Sequence, residues 1–186
     1  MISMNWFFVI LGVVLIYLIF LYNGLVTLRE RVKNAWAQVD VQLKRRYDLI
    51  PNLVNTVKGY AAHEKGILEE VTKARTQALS AGGPAEAGQA ESALSSTLRT
   101  LFAVAENYPE LKADANFREL QKELSDTESK IAYSRQFYND TVQKYNIRIQ
   151  RFPAVLVAGL FGFQKKSFFT LDEAAAERQP INVDFS

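Results

Sequence analysis

The chain has 186 residues, 48% of them aliphatic or aromatic, with 22 basic against 20 acidic side chains and a net charge of +2. That is one domain's worth of chain, with apolar content enough for a core and no global field to attract nucleic acid. There is no cysteine and a single histidine, His63, so disulfides, thiolate nucleophiles, cysteine metal sites and a multi-histidine site within one chain are all excluded.

Residues 6–22 read WFFVILGVVLIYLIFLY, apolar without a break. With residues 23–26 the run reaches the ~20 residues that cross a ~30 Å hydrocarbon layer. Trp6 and Tyr22 stand at its two ends, as interfacial aromatic belts require. A cleaved signal peptide would want a basic leader and small residues before the cut, and residues 1–5 carry no charged side chain. The reading is a retained transmembrane helix at residues 6–26 behind a short extracellular stretch at residues 1–5. Arg29, Arg31 and Lys33 follow directly, which places the N-terminus outside and the bulk of the chain in the cytoplasm.

Residues 27–152 then read as helical bundle. Leu28, Val32, Trp36, Val39, Leu43 and Tyr47 trace one helical face; Ile50, Val54, Val57, Ala61, Leu68 and Val71 trace a second. Between them Asp48 can cap a new helix and Pro51 fits a first turn, so the pattern predicts a corner at residues 48–51, with a kinked continuous helix as the alternative. The second helix runs to about Leu79 and stops at Ser80-Ala81-Gly82-Gly83-Pro84. A third covers about residues 88–108, burying Leu94, Leu98, Leu101, Ala105 and Tyr108, and Asn107-Tyr108-Pro109 closes it.

The fourth helix alternates steps of three and four through Phe117, Leu120, Leu124, Thr127, Ile131, Ser134, Tyr138, Thr141, Tyr145, Arg148 and Phe152. This 3.5-residue repeat is the coiled-coil seam of a left-handed bundle. The fold class is therefore all-α, an up-down-up-down four-helix bundle whose first helix continues a transmembrane helix. Residues 153–186 hold an apolar segment, AVLVAGLFGF at 154–163, then Lys165-Lys166 and a polar tail that ends in the strand-like alternation Ile181, Val183, Phe185. Ten apolar residues are too few to span a bilayer. Counting turns brings Phe152 back beside the membrane, so Leu156, Leu160, Phe161 and Phe163, with Lys165 and Lys166, are candidates for the interface and its anionic headgroups. The competing reading folds the same residues over the open end of the bundle.

Several constellations were candidates for chemistry. His63-Glu64 lacks partner histidines and reads as a helix-surface pair, although Glu64 falls on an apolar series where a basic partner would be needed. Lys44, Arg45 and Arg46 form the densest basic cluster. On an upright helix Lys44 lies roughly 24 Å past Leu28, beyond the ~8 Å reach of headgroup attraction. The cluster is thus a solvated face or a contact for an acidic partner. Asn139 and Asn146 each follow a seam tyrosine and can set register or oligomer contact. Gly82-Gly83 has no lysine after it and is no phosphate loop. The expectation is no catalytic site, no metal, no cofactor, no small-molecule substrate and no nucleic acid, with the lipid bilayer, further copies of the chain or other membrane proteins as partners.

The chain resembles the LemA family. The resemblance is carried by Tyr22-Asn23-Gly24-Leu25-Val26, the block RVKNAWAQVDVQLKRRYDLIPNLVNTVKGYAAHE at residues 31–64, NYPELKA at 107–113, Tyr138-Asn139, Tyr145-Asn146 and AGLFGF at 158–163. It implies a bacterial inner-membrane protein with one N-terminal transmembrane helix, an external N-terminus, a helical domain on the cytoplasmic side and no known catalytic activity. A magnetosome membrane protein is similar to this family, which implies a part in membrane organisation. The function expected is a membrane-anchored, self-associating scaffold or adaptor; the alternative is a lipid-binding or membrane-remodelling module acting through the C-terminal apolar segment.

Overall fold

A computed structural model describes residues 2–171, and for residues 2–5 only the backbone. All regular structure among them is helical: α1 (Ile2–Tyr60), α2 (Lys65–Leu79), α3 (Pro84–Ala105), α4 (Pro109–Ala113), α5 (Ala115–Gln150) and α6 (Ala154–Leu160). The expected alternation at Ile181, Val183 and Phe185 lies outside the described residues.

From Trp6 to Phe20 every large apolar side chain of α1 is exposed. Burial starts at Leu21 and Leu25 and then follows one face through Val32, Ala35, Val39, Leu43, Ile50, Leu53 and Val57. The helix is thus apolar on all sides in its first turns and one-faced after them. The change of regime at residues 21–25 is where packing against the rest of the protein begins. This is the one helix among the described residues long and apolar enough to cross a membrane.

The expected corner at residues 48–51 is not there. α1 continues as helix through Pro51 and ends at Tyr60, with the turn at Ala61–Glu64, where the Glu64 N–H bonds the Ala61 carbonyl at 3.1 Å. Proline has no N–H for the carbonyl four residues back, which is that of Tyr47. That carbonyl instead accepts a 2.7 Å hydrogen bond from Arg75 Nε on α2. A side chain 28 residues away thus replaces the bond that Pro51 removes, and the helix has no orphan acceptor to break it.

The described residues cluster into two compact units, one formed by the chain up to Ala37 with Gln136–Ser167, the other by Gln38–Arg135 with the chain from Phe168. In the first, Trp36 packs its ring against Tyr138 at 5.3 Å between centroids. In the second, α2 presents Ile67, Leu68, Val71, Ala74 and Ala78 to the interior. α3 begins at Pro84, four residues before the start expected from sequence, because the proline sits in its first turn while the Glu86 carboxylate accepts the Gly82 N–H at 2.8 Å. Its interior face is Ala87, Glu91, Leu94, Leu98, Leu101 and Ala105. Asp114 caps α5 by accepting the Phe117 N–H at 2.8 Å and the Tyr60 hydroxyl at 3.0 Å.

The seam of α5 is buried at Phe117, Leu124, Thr127, Ile131, Ser134, Tyr138 and Tyr145. At its C-terminal end it departs from the expected repeat. Val142, Asn146 and Ile149 are buried there, while Arg148 and Phe152 face outward. A straight helix drifts by about 20° per heptad against a strict 3.5 repeat, so the buried face moves on by one position. Thr127 and Ser134 bond the carbonyls of Glu123 and Lys130 on their own helix, so neither leaves a bare hydroxyl in the seam.

Candidate functional site

In the first unit, α6 and the strap after it fold back onto the end of the apolar span. Tyr22 packs against Phe161 at 4.7 Å and Phe163 at 5.9 Å between ring centroids, and the Arg29 guanidinium lies 5.2 Å over the Phe163 ring. α6 ends in a Schellman turn: Gly162 takes φ of +68°, open to glycine at no steric cost, and the Phe163 N–H reaches the Ala158 carbonyl at 2.9 Å. Ala154, Val157, Ala158 and Phe163 face the protein. Leu156 and Leu160, the latter at 80% exposure, face away from it, Phe161 is 56% exposed although its ring rests on Tyr22, and Phe152 is 81% exposed. The helix is thus two-sided. The six residues expected at the interface divide accordingly: Phe163 is a packing residue, while Leu156, Leu160, Phe161, Lys165 and Lys166 form an open surface.

Three side chains of α5 hold the strap in place. Tyr138 donates its hydroxyl to the Ser167 carbonyl at 2.8 Å and Tyr145 to the Gln164 carbonyl at 3.0 Å. Asn146 grips Lys166 at both backbone atoms, donating from Nδ2 to its carbonyl and accepting its N–H at Oδ1, each at 2.9 Å. Burial pushes the Tyr138 hydroxyl up to about 12 and raises Tyr145, so both stay neutral donors across the physiological range. With its amide committed to Lys166, Asn146 acts as an internal clasp. Asn139, one residue after Tyr138, is half-buried. The clasp fixes the backbone of Lys165 and Lys166 and leaves both ammonium stems in the open.

The second unit holds a polar centre. Arg46, 5% exposed, forms a 2.9 Å ion pair from Nη1 to Glu91 Oε2, and Glu91 is 1% exposed. Its Nη2 donates to Ser95 Oγ at 3.0 Å. This corrects the assignment of Arg46 to a solvated basic cluster: Lys44 and Arg45 are exposed, but Arg46 lies on the interior face between Leu43 and Ile50. Loss of hydration raises the Glu91 carboxyl, and Arg46 pulls against that shift. Burial, with Glu91 beside it, drives the Tyr47 hydroxyl far above its usual range. Arg46 and Glu91 border a cavity of about 130 Å³ that Glu128, Ile131 and Arg135 of α5 complete. Glu91 was legible in retrospect, since it continues the step from Ala87 to Leu94 on the face of α3. His63 is exposed, as a helix-surface pair requires, and Glu64 is half-buried and accepts the Tyr108 hydroxyl at 2.9 Å.

The sequence pattern of the LemA family matches residues 35–185. Magnetosome protein MamQ 2 of Paramagnetospirillum magneticum is 26% identical over 186 aligned positions, covering 86% of this chain and 68% of that protein. Magnetosome protein MamQ of Magnetospirillum gryphiswaldense is 25% identical, over 80% of this chain and 64% of its own length. Protein LemA of Metamycoplasma hominis is 24% identical over 96% of this chain and 81% of that protein. The family pattern covers α1 from residue 35, the Arg46–Glu91 centre, the tyrosine–asparagine clasp and α6, and on that match the chain belongs to the LemA family.

Proposed function

We propose that this protein is a non-catalytic, membrane-anchored helical scaffold of the bacterial inner membrane, with its N-terminus outside and the bulk of the chain in the cytoplasm. The observation that carries it is α1 itself. One unbroken helix is exposed and apolar on all sides from Trp6 to Phe20 and one-faced from Leu21 to Val57. Beyond Val26 the same helix continues to Tyr60 and supplies a packing face for the other helices. α1, α2, α3 and α5 are read as the members of a four-helix bundle, supported by the α1–α3 ion pair and the α2–α1 bond from Arg75. The MamQ relatives are named as magnetosome proteins, in keeping with a role on membranes.

The cysteine-free chain makes topology directly testable. With Ser80→Cys as the sole thiol, an impermeant maleimide should leave intact cells unlabelled and react after lysis, whereas Ser3→Cys should label from outside. The reverse pattern would invert the proposed orientation.

A second reading, lipid contact through the C-terminal apolar segment, is favoured by the seating of Phe161 and Phe163 on Tyr22 at the end of the span. In that position Leu156, Leu160 and Phe161 lie at the level where α1 enters lipid, with Lys165 and Lys166 for anionic headgroups. The full-length chain with Trp6→Phe, Trp36→Phe and Leu160→Trp should, in bilayers, lose tryptophan emission to lipids brominated high on the acyl chain. Emission unaffected by bromination would remove α6 from the membrane and leave it a cap on the protein alone.

A further inference from the structure

A groove of about 480 Å³ opens in the second unit between the last turns of α1 and one face of α2. Lys65, Leu68, Glu69, Thr72, Lys73 and Thr76 line its α2 side, at alternating steps of three and one that share a helical face. Val54, Lys58 and Ala62 line the other side. The apolar lining is Val54, Ala62 and Leu68, and the hydroxyls of Thr72 and Thr76 are already spent on the carbonyls of Leu68 and Thr72 at 2.8 and 2.9 Å. The rim is basic. Lys58, Lys65 and Lys73 are exposed there against the single carboxylate of Glu69. Glu69 stands four residues from Lys65 and four from Lys73, yet none of these four groups is in an ion pair among the described residues.

We propose that this groove docks an acidic amphipathic helix of a partner protein, an inference that rests on the scaffold reading and names the class of partner the scaffold takes. Charge sets the sign. Three unpaired ammonium groups against one carboxylate favour an occupant with acidic side chains beside an apolar stripe. The start of α2 adds to that preference. Lys65 is its first residue, a cation at the positive end of the helix dipole, with no acidic side chain in the first turn. The N-cap Glu64 makes no capping bond, because its carboxylate accepts the Tyr108 hydroxyl. A partner carboxylate beside Lys65 therefore answers both the lysine and the dipole. Backbone chemistry sets the conformation. Both walls are helices whose backbone groups are bonded within themselves, so an extended peptide finds no sheet edge to pair with. A helix satisfies its own N–H and C=O groups and brings only side chains to the apolar lining. Length follows from α2, where Lys65 to Thr76 covers about 16 Å at 1.5 Å per residue. About three turns of helix fill that length, apolar at every third and fourth position. Lys65 and Lys73, about 12 Å apart along the axis, then meet carboxylates about two turns apart.

The test offers the full chain in detergent to a displayed library of randomised peptides of about eleven residues held on a helical carrier. Enriched sequences should be net acidic, with apolar residues at every third and fourth position. Lys65→Glu combined with Lys73→Glu should weaken their binding at least about tenfold, and Glu69→Gln should tighten it about twofold or more. Neither change threatens the fold, since an acidic residue in the first turn of α2 suits the dipole, and melting followed by circular dichroism checks this. A gain on Glu69→Gln is a result that local unfolding does not give. No enrichment, enrichment of neutral or basic sequences, or binding unmoved by these variants would overturn the proposal. Sedimentation of the parent chain is run alongside: a dimer lost in Lys65→Glu with Lys73→Glu would overturn it in favour of a second copy. Detergent takes topology and lipid contact out of the measurement, so a failure here leaves the scaffold reading to be decided by the thiol labelling.

Discussion

Glu91→Ala, with Arg46 left in place, should destabilise the folded chain by roughly 3–5 kcal/mol, because it strands in the interior a guanidinium that keeps its bond to Ser95 but loses its ion pair. For a chain of this length that is a fall in apparent melting temperature of roughly 6–20 °C, read by helical circular dichroism in detergent. The double change Arg46→Met with Glu91→Leu should recover most of the loss, since two apolar side chains of similar volume remove both desolvation penalties together. A double variant as unstable as the single one would mean that the pair supplies net stability of its own. The pair also gives a pH signature of definite sign. Burial holds the Glu91 carboxyl above the ordinary carboxylate range, so the folded chain binds that proton more tightly than the unfolded chain. Its contribution to stability is complete below the unfolded value of about 4.3 and is lost as pH rises through the raised value. Removing the opposing guanidinium in Arg46→Met should move that loss to still higher pH.

Gly88→Val should have the second largest effect, for a steric reason. A Cβ on Gly88 would stand 2.1 Å from the Thr170 carbonyl oxygen, a backbone atom that no rotamer change can move aside. Either α3 or the segment from Phe168 must shift. Overpacking of this kind costs roughly 1–3 kcal/mol. If the segment gives way, the wholly buried Phe169 is exposed, at a cost of about 1.5–3 kcal/mol. Chymotrypsin should then cut at Phe168 and Phe169 much faster than in the parent chain. An unchanged cleavage rate together with an unchanged melting temperature would show that Thr170 can yield at no cost.

The apolar, exposed first part of α1 and the buried faces of the helices were legible because each is a local pattern: an unbroken run of uncharged residues, or apolar residues at every third and fourth position afterwards. The error at Pro51 has the opposite character. A proline's consequences were judged from its own neighbourhood, where a missing N–H and a capping Asp48 argue for a corner. The remedy lies on another helix, in Arg75, and no window of sequence around residue 51 contains it. The true turn had left a trace, because the series from Ala61 to Leu68 has no apolar residue at its intermediate step, only Glu64. Arg46 was misassigned for a related reason. It was grouped with Lys44 and Arg45 by charge, although its spacing from Leu43 and Ile50 put it on the interior face. At α6, composition identified the residues, but which of them face outward depends on the phase set by the Gly162 turn and the seating on Tyr22.

The bond from Arg75 to the Tyr47 carbonyl decides what can happen at Pro51. A proline in mid-helix is the usual place for a kink, because the carbonyl it leaves bare invites water or a side chain into the ladder. Here the acceptor is already filled from α2, and α1 continues as helix through residue 51 to Tyr60. The Arg75 side chain acts as a pin: withdrawing it would free the Tyr47 carbonyl and turn that point of the helix back into a joint.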